Sequence, residues 1–214
     1  MNKIGTRQLV LLGVFAAIAY ALVWVCRIPV VAFLSYEPKD VVIVMGGFLF
    51  GPLAAFLVSL VVSLVEMVTI SGTGPIGMVM NLLSTCAFAC TASAIYWRRR
   101  TLPGAIGGLC LGSIVMVGVM LLWNWLITPL YLDISRQAVE AMLVPMFLPF
   151  NALKAGLNTA LTLGLYKPLV TGLRRLRLVE QGSGEKKRGM GVYLLAAGLL
   201  ATCILLLLVF TGVL

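Results

Sequence analysis

Long apolar runs alternate with short polar breaks from one end of the chain to the other, and this pattern limits most narrowly what it can fold into. In hydrocarbon every backbone amide must be paired internally, so only helices and closed barrels cross a membrane. A barrel would show short segments of alternating polarity, and the chain has none. Its runs approach or exceed the roughly 20 residues that a spanning helix needs. Hydrophobic residues make up 61% of the 214 positions and charged ones 11%. We therefore expect an all-α, polytopic helical membrane protein with no linker separating soluble domains.

The first run covers about 8–26. Lys3 and Arg7 precede it, as in a signal peptide, but it extends to Cys26, which predicts a retained helix. The interruption "RIPVVAFLSYEPKD" (27–40) is too apolar for a plain surface loop, so it is expected to dip toward the membrane. The stretch 41–71 reads as one long run, yet "FGP" at 50–52 breaks it, because Pro52 disfavours helical geometry at Gly51. Charge supports the break. A turn there puts Arg98–Arg100 and the second basic cluster (Arg174, Arg175, Arg177, Lys186, Lys187, Arg188) on the same side as Lys3 and Arg7. The prediction is a short helix at about 40–50 and full helices at about 53–70, 76–97, 104–127 and 142–167. An outer loop is expected at 130–140 and a basic inner loop at about 171–189. A seventh helix, about 190–214, then leaves the C-terminus outside.

This orientation also explains the net charge of +9. The basic clusters read as cytoplasmic loops rather than as a nucleic-acid surface. Trp24, Trp97, Trp123 and Trp125 lie near helix ends, where indoles favour the headgroup region; stacking on a ligand remains a second role for Trp123 or Trp125. The five cysteines sit in or beside apolar runs and read as small packing residues rather than metal ligands. The chain has no histidine, no phosphate-binding loop and no carboxylate pair expected at mid-helix. Asp40, Glu66, Asp133 and Glu140 all fall near predicted helix ends. Neither an enzyme nor a proton- or sodium-coupled carrier is indicated.

The polar residues that remain are concentrated. Asn151, Lys154 and Asn158 share one stripe of the sixth helix at spacings of three and four. Lys154 lies about 18 Å into its span, far for a lysine to reach water, and no acid is evident to pair with it. Asn124 sits near the outer end of the fifth helix. The stripe could serve interhelical hydrogen bonding. It could also converge with Asn124 on an outward-facing pocket, whose amides and lysine would suit a neutral planar ligand with imide-like edges. On the first helix Gly13, Ala17 and Ala21 recur every four residues and permit close helix contact, either inside the bundle or with a partner.

The motifs "YEPKDVVIVMGGFLFGPLAAF", "GTGPIGMVMN", "WNWLITPLY" and "LPFNALKAGLN", in this order, resemble the riboflavin-specific substrate-binding subunits (S components) of energy-coupling factor (ECF) transporters, over about residues 8–170. The resemblance implies a six-helix bundle in a bacterial cell membrane, with a cytoplasmic N-terminus. It implies a riboflavin site at Asn124, Asn151 and Lys154, and we expect Asn158 and Gly74 as further contacts. Residues 30–37 would form a lid whose Leu34 and Tyr36 touch the ligand. Gly13, Ala17 and Ala21 would dock a transmembrane coupling subunit, and two ATPases would complete the complex. No catalytic residue, metal or cofactor is implied. The expected division is 1–188 as the substrate-binding domain and 189–214 as an additional, peripheral helix with no role in binding. A stand-alone carrier and a non-transporting scaffold are the rival readings.

Overall fold

The computed structural model describes residues 5–31, 34–70, 72–175 and 190–210. Helix α1 (Thr6–Val25) leads into a hairpin of β1 (Ile28–Val31) and β2 (Leu34–Tyr36). Then come α2 (Lys39–Phe50), α3 (Pro52–Thr69), α4 (Gly74–Arg99), α5 (Leu102–Leu132), α6 (Arg136–Met142), α7 (Leu148–Arg175) and α8 (Met190–Phe210). Six helical segments among the described residues are long and apolar enough to cross a membrane. With 12 residues, α2 is about 18 Å long, short of a full span by itself, and it runs from the hairpin to the turn at Gly51. The protein is a multi-pass helical membrane protein.

The turn expected at Gly51–Pro52 is present. Gly51 has φ 101°, a conformation that favours glycine, and Pro52 opens α3, where a missing N–H costs nothing. The ring of Trp97 would lie 3.3 Å from a Cβ at Gly51, and its indole Nε1 donates to Gly47 O. Helices α4 and α5 pack backbone to backbone. A Cβ at Gly108 would stand 2.6 Å from Ala92 O, and one at Gly112 2.7 Å from Phe88 O. Small residues allow this approach, and dispersion at short range stabilises helix pairs in lipid.

One expectation about the helices needs correction. The segment 130–140, read as an outer loop, is mostly helical. Helix α5 continues through Pro129 to Leu132 and ends at Asp133, whose φ is 53°. Ser135 then caps α6 by accepting from Ala138 N–H. The stretch between α6 and α7, Leu143–Phe147, is π-helical, and Leu148 N–H bonds to Leu143 O. Pro145 and Pro149 have no N–H to give, so the usual i to i−4 pattern fails there. The interruption at 27–40 holds an antiparallel hairpin, with Ile28 opposite Tyr36 and a bulge between Pro29 and Val31. Residues 32 and 33 of the expected lid, and the basic loop from 176 onward, lie outside the described residues.

Two apolar clusters hold the fold. One joins α2, α3, α4 and α5 around Val44, Ala55, Phe88, Ala92 and Met116. The other lies under the hairpin, where Val30, Leu34 and Tyr36 meet Phe147, Phe150, Leu153, Leu157 and Cys203. Helix α8 packs along α7, and Cys203 Sγ would be 2.7 Å from a Cβ at Gly156.

Candidate functional site

The hairpin end of the bundle contains a cavity of about 80 Å³. Its walls come from the end of α1 (Val23, Arg27), the hairpin (Leu34, Ser35, Glu37), α3 and α4 (Glu66, Asn81, Ser84), α5 (Asn124) and α7 (Phe150, Asn151, Lys154). Small-molecule sites usually enclose about 300–1,000 Å³. A ring-sized ligand therefore requires a wall to move, and the hairpin is the wall with the least helical support.

The two asparagines are each held from their own helical stretch. Asn124 is 1% exposed; its Nδ2 donates to Met120 O at 2.7 Å and its Oδ1 accepts from Thr128. Asn151 donates to Phe147 O at 2.8 Å, a carbonyl of the π-helical segment, so the prolines that distort this stretch also set the orientation of the amide. Both amides face the cavity with the rest of their donor and acceptor capacity.

Lys154 is not unpaired, which corrects the reading from sequence. Its Nζ lies 3.4 Å from Asp40 Oδ2 and donates to Ser84 Oγ at 3.3 Å. Asp40 is fully buried, and it also accepts from Thr85 (2.6 Å) and Asn158 (3.0 Å). Glu66, likewise expected to be peripheral, is 3% exposed and receives both Lys39 and Asn81. Asp40 and Glu66 do lie near helix ends. Helix α2, however, starts inside the protein, so Asp40 is an interior position, and Lys39 at that same start covers the end of α3 that carries Glu66. At the first turn of α2, Asp40 also meets the positive end of the helix dipole.

Of the residues expected at the site, the structure brings Asn124, Asn151, Lys154 and Leu34 to one cavity. Asn158 and Tyr36 stand behind the wall: Tyr36 OH donates to Asn158 Oδ1 at 3.1 Å, and Asn158 passes the chain on to Asp40. Burial, with the charge of Asp40, pushes the Tyr36 hydroxyl pKa up, so it remains a donor. Gly74 is not in the lining; its neighbour Thr73 is, and Gly74 (φ 57°) turns the chain into α4. Sequence reading missed Glu37, Glu66, Asn81 and Ser84 as wall residues. Trp123 lines a smaller adjoining cleft with Met80 and Asn124, whereas Trp125 donates to Glu140 on α6.

The stripe on α1 points outward. Gly13, Ala17 and Ala21 are exposed, with nothing within 4 Å of a Cβ at Gly13, while Leu12, Ala19 and Val23 turn into the bundle.

A membrane-embedded bundle with a small amide- and lysine-walled cavity beneath a hairpin defines a membrane protein built to hold a small molecule. Residues 7–166 match the family of the ECF transporter, substrate-specific component, and the chain belongs to that family, whose role is transport and not catalysis. It is 29% identical over 186 residues to the riboflavin transporter RibU of Staphylococcus aureus (strain TCH60), covering 82% of this chain and 97% of that protein. A solved S component of a bacterial ECF transporter superimposes with a TM-score of 0.67 at 30% identity, over 79% of this chain and 98% of the other. Helix α8 lies beyond the matched family segment.

Proposed function

We propose that this chain is the riboflavin-capturing subunit of an ECF-type importer. It would take riboflavin from outside the bacterial cell and deliver it together with a transmembrane coupling subunit and two ATPases. The observation that carries this reading is the convergence of Asn124, Asn151 and Lys154 on one cavity in a chain spanning nearly the whole of a riboflavin transporter. Amides and a lysine offer donors and acceptors to an imide-like ring edge, and Leu34, Met80, Met120 and Phe150 offer apolar contact to the rings. The N-terminus is proposed to lie inside and the C-terminus outside, a reading that the positive-inside rule supports through the arginines at the end of α4. Residues 1–188 form the binding domain. Helix α8 contributes nothing to the cavity lining and is proposed as an addition without a direct role in binding.

The test is flavin binding by the purified chain, read by absorbance and by quenching of flavin fluorescence. Asn151→Ala and Asn124→Ala remove amides whose hydrogen bonds within the protein stay in their own helical stretch. Each should weaken riboflavin binding about ten- to hundredfold, corresponding to roughly 1–3 kcal/mol for a lost buried polar contact. Wild-type affinity in both variants would remove the site from these residues. Lys154→Ala should lose at least as much, but it also leaves Asp40 without its cation, so its melting temperature must be read alongside.

The hairpin is proposed as the lid, with Leu34 at the cavity and Tyr36 latched to Asn158. Single cysteines introduced at 33–37 in a chain stripped of native thiols should be labelled several-fold more slowly with riboflavin present, because closure withdraws the backbone from water. Equal labelling rates with and without ligand would rule out a lid here.

A further inference from the structure

The charges around the cavity are matched one for one. Arg27, Glu37, Glu66 and Lys154 line it, and Lys39 and Asp40 stand directly behind the wall. Three cations thus face three carboxylates. Glu37 is the shared member at the mouth. Its Oε1 lies 3.4 Å from Arg27 Nε, and its Oε2 lies 2.9 Å from Lys39 Nζ. Lys39 also donates to both oxygens of Glu66, which in turn accepts from Asn81. The two cations nearest the mouth are therefore already held by carboxylates. Only Arg27 is substantially exposed, at 43% of its side chain, against 1% for Lys39.

We propose that Glu37 is a charge filter: by neutralising Arg27 and Lys39 it makes the cavity select an uncharged, hydroxyl-bearing flavin over its phosphate ester. This rests on the flavin reading above. Glu37 and Glu66 present acceptors, which suit the hydroxyl donors of a polyol side chain. A phosphate is an acceptor carrying about −1.5 to −2 charges near neutral pH. Entering here, it must sit beside two carboxylates or displace one from its cation, and like charges brought together select strongly against a ligand. With Glu37 uncharged, the half-exposed Arg27 is free to turn toward the phosphate. Lys39 keeps both Glu66 oxygens, so the wall is not left with an orphaned cation.

The test is competition of riboflavin against flavin mononucleotide for the purified full-length chain at fixed pH and salt. The wild type should bind the phosphate ester at least about a hundredfold more weakly. Glu37→Gln should narrow that ratio about tenfold or more, Glu37→Asp should not, and adding Arg27→Gln to Glu37→Gln should cancel the gain. Equal affinity of the wild type for the two flavins overturns the filter without any variant, which covers the case of Glu37→Gln failing to fold. An unchanged ratio in a folded Glu37→Gln protein overturns it too. If the wild type binds no riboflavin at all, the flavin reading falls and the filter with it; riboflavin binding without discrimination sinks the filter alone.

Discussion

Replacing Asp40 with alanine is expected to destabilise the protein by about 3–5 kcal/mol, the cost of breaking a buried ion pair from one side. Asp40 is completely buried and is the common partner of Lys154, Asn158 and Thr85. Its removal leaves a lysine without a counter-charge in the interior, together with an amide and a hydroxyl short of acceptors. Against the roughly 5–15 kcal/mol that holds typical domains together, this is a large fraction. Melting of the purified variant in detergent should show it as a loss of many degrees or as failure to accumulate. The double variant Asp40→Ala with Lys154→Met removes both charges, and buried pairs exchanged for apolar residues are often close to neutral. It should therefore melt well above Asp40→Ala alone. If Asp40→Ala melts like the wild type, or the double variant is as unstable as the single, the pair is not what holds α2 against α7.

Ala17→Trp or Ala21→Trp should abolish riboflavin uptake by cells that contain the full transport complex, while riboflavin binding by the purified chain stays within a few-fold of the wild type. Both alanines are exposed on α1, and of the α1 residues only Val23 lines the cavity, with Arg27 just beyond the helix. In lipid, helices associate largely through close packing of small faces, so an indole placed there holds a partner helix away. The structure bears on the two readings of this stripe: none of the described residues packs over it as a seam inside the bundle. Whether it is the coupling surface depends on the split between uptake and binding. Uptake at wild-type levels in both tryptophan variants would move the coupling surface to another face.

How much was legible in the sequence differs between the fold and the site. The spans came from run length, and the break between α2 and α3 from Pro52 and the distribution of arginines. Both are local signals that do not depend on neighbours. Asn124, Asn151 and Lys154 were legible for a similar reason: an amide or lysine within an apolar helix is costly wherever it faces lipid, so it marks an interior face. The hairpin was harder to read. Four residues of β1 and three of β2, with Pro29 among them, carry too little alternation to announce a strand, and their pairing depends on the cluster formed by Phe147, Phe150 and Leu157. The extra helix α6 was hidden by Pro129, which read as the end of its helix and is instead absorbed into it, while the π-helical segment around Pro145 fell inside a stretch read as ordinary helix.

The sequence alone determined that this chain crosses a membrane as helices and which helix faces carry its polar and small residues. Those properties follow from side-chain transfer energies and from the 3.6-residue period of a single helix. Only the tertiary structure decided which faces meet. Lys154 was read as unpaired because its acid, Asp40, is at the start of another helix. Glu66 was read as peripheral because a helix end in sequence says nothing of what covers it in space. Pairing of charges across helices reflects the low dielectric of the interior, where an ion is stable only beside its partner, and that constraint acts on distance in space, which helical periodicity does not encode.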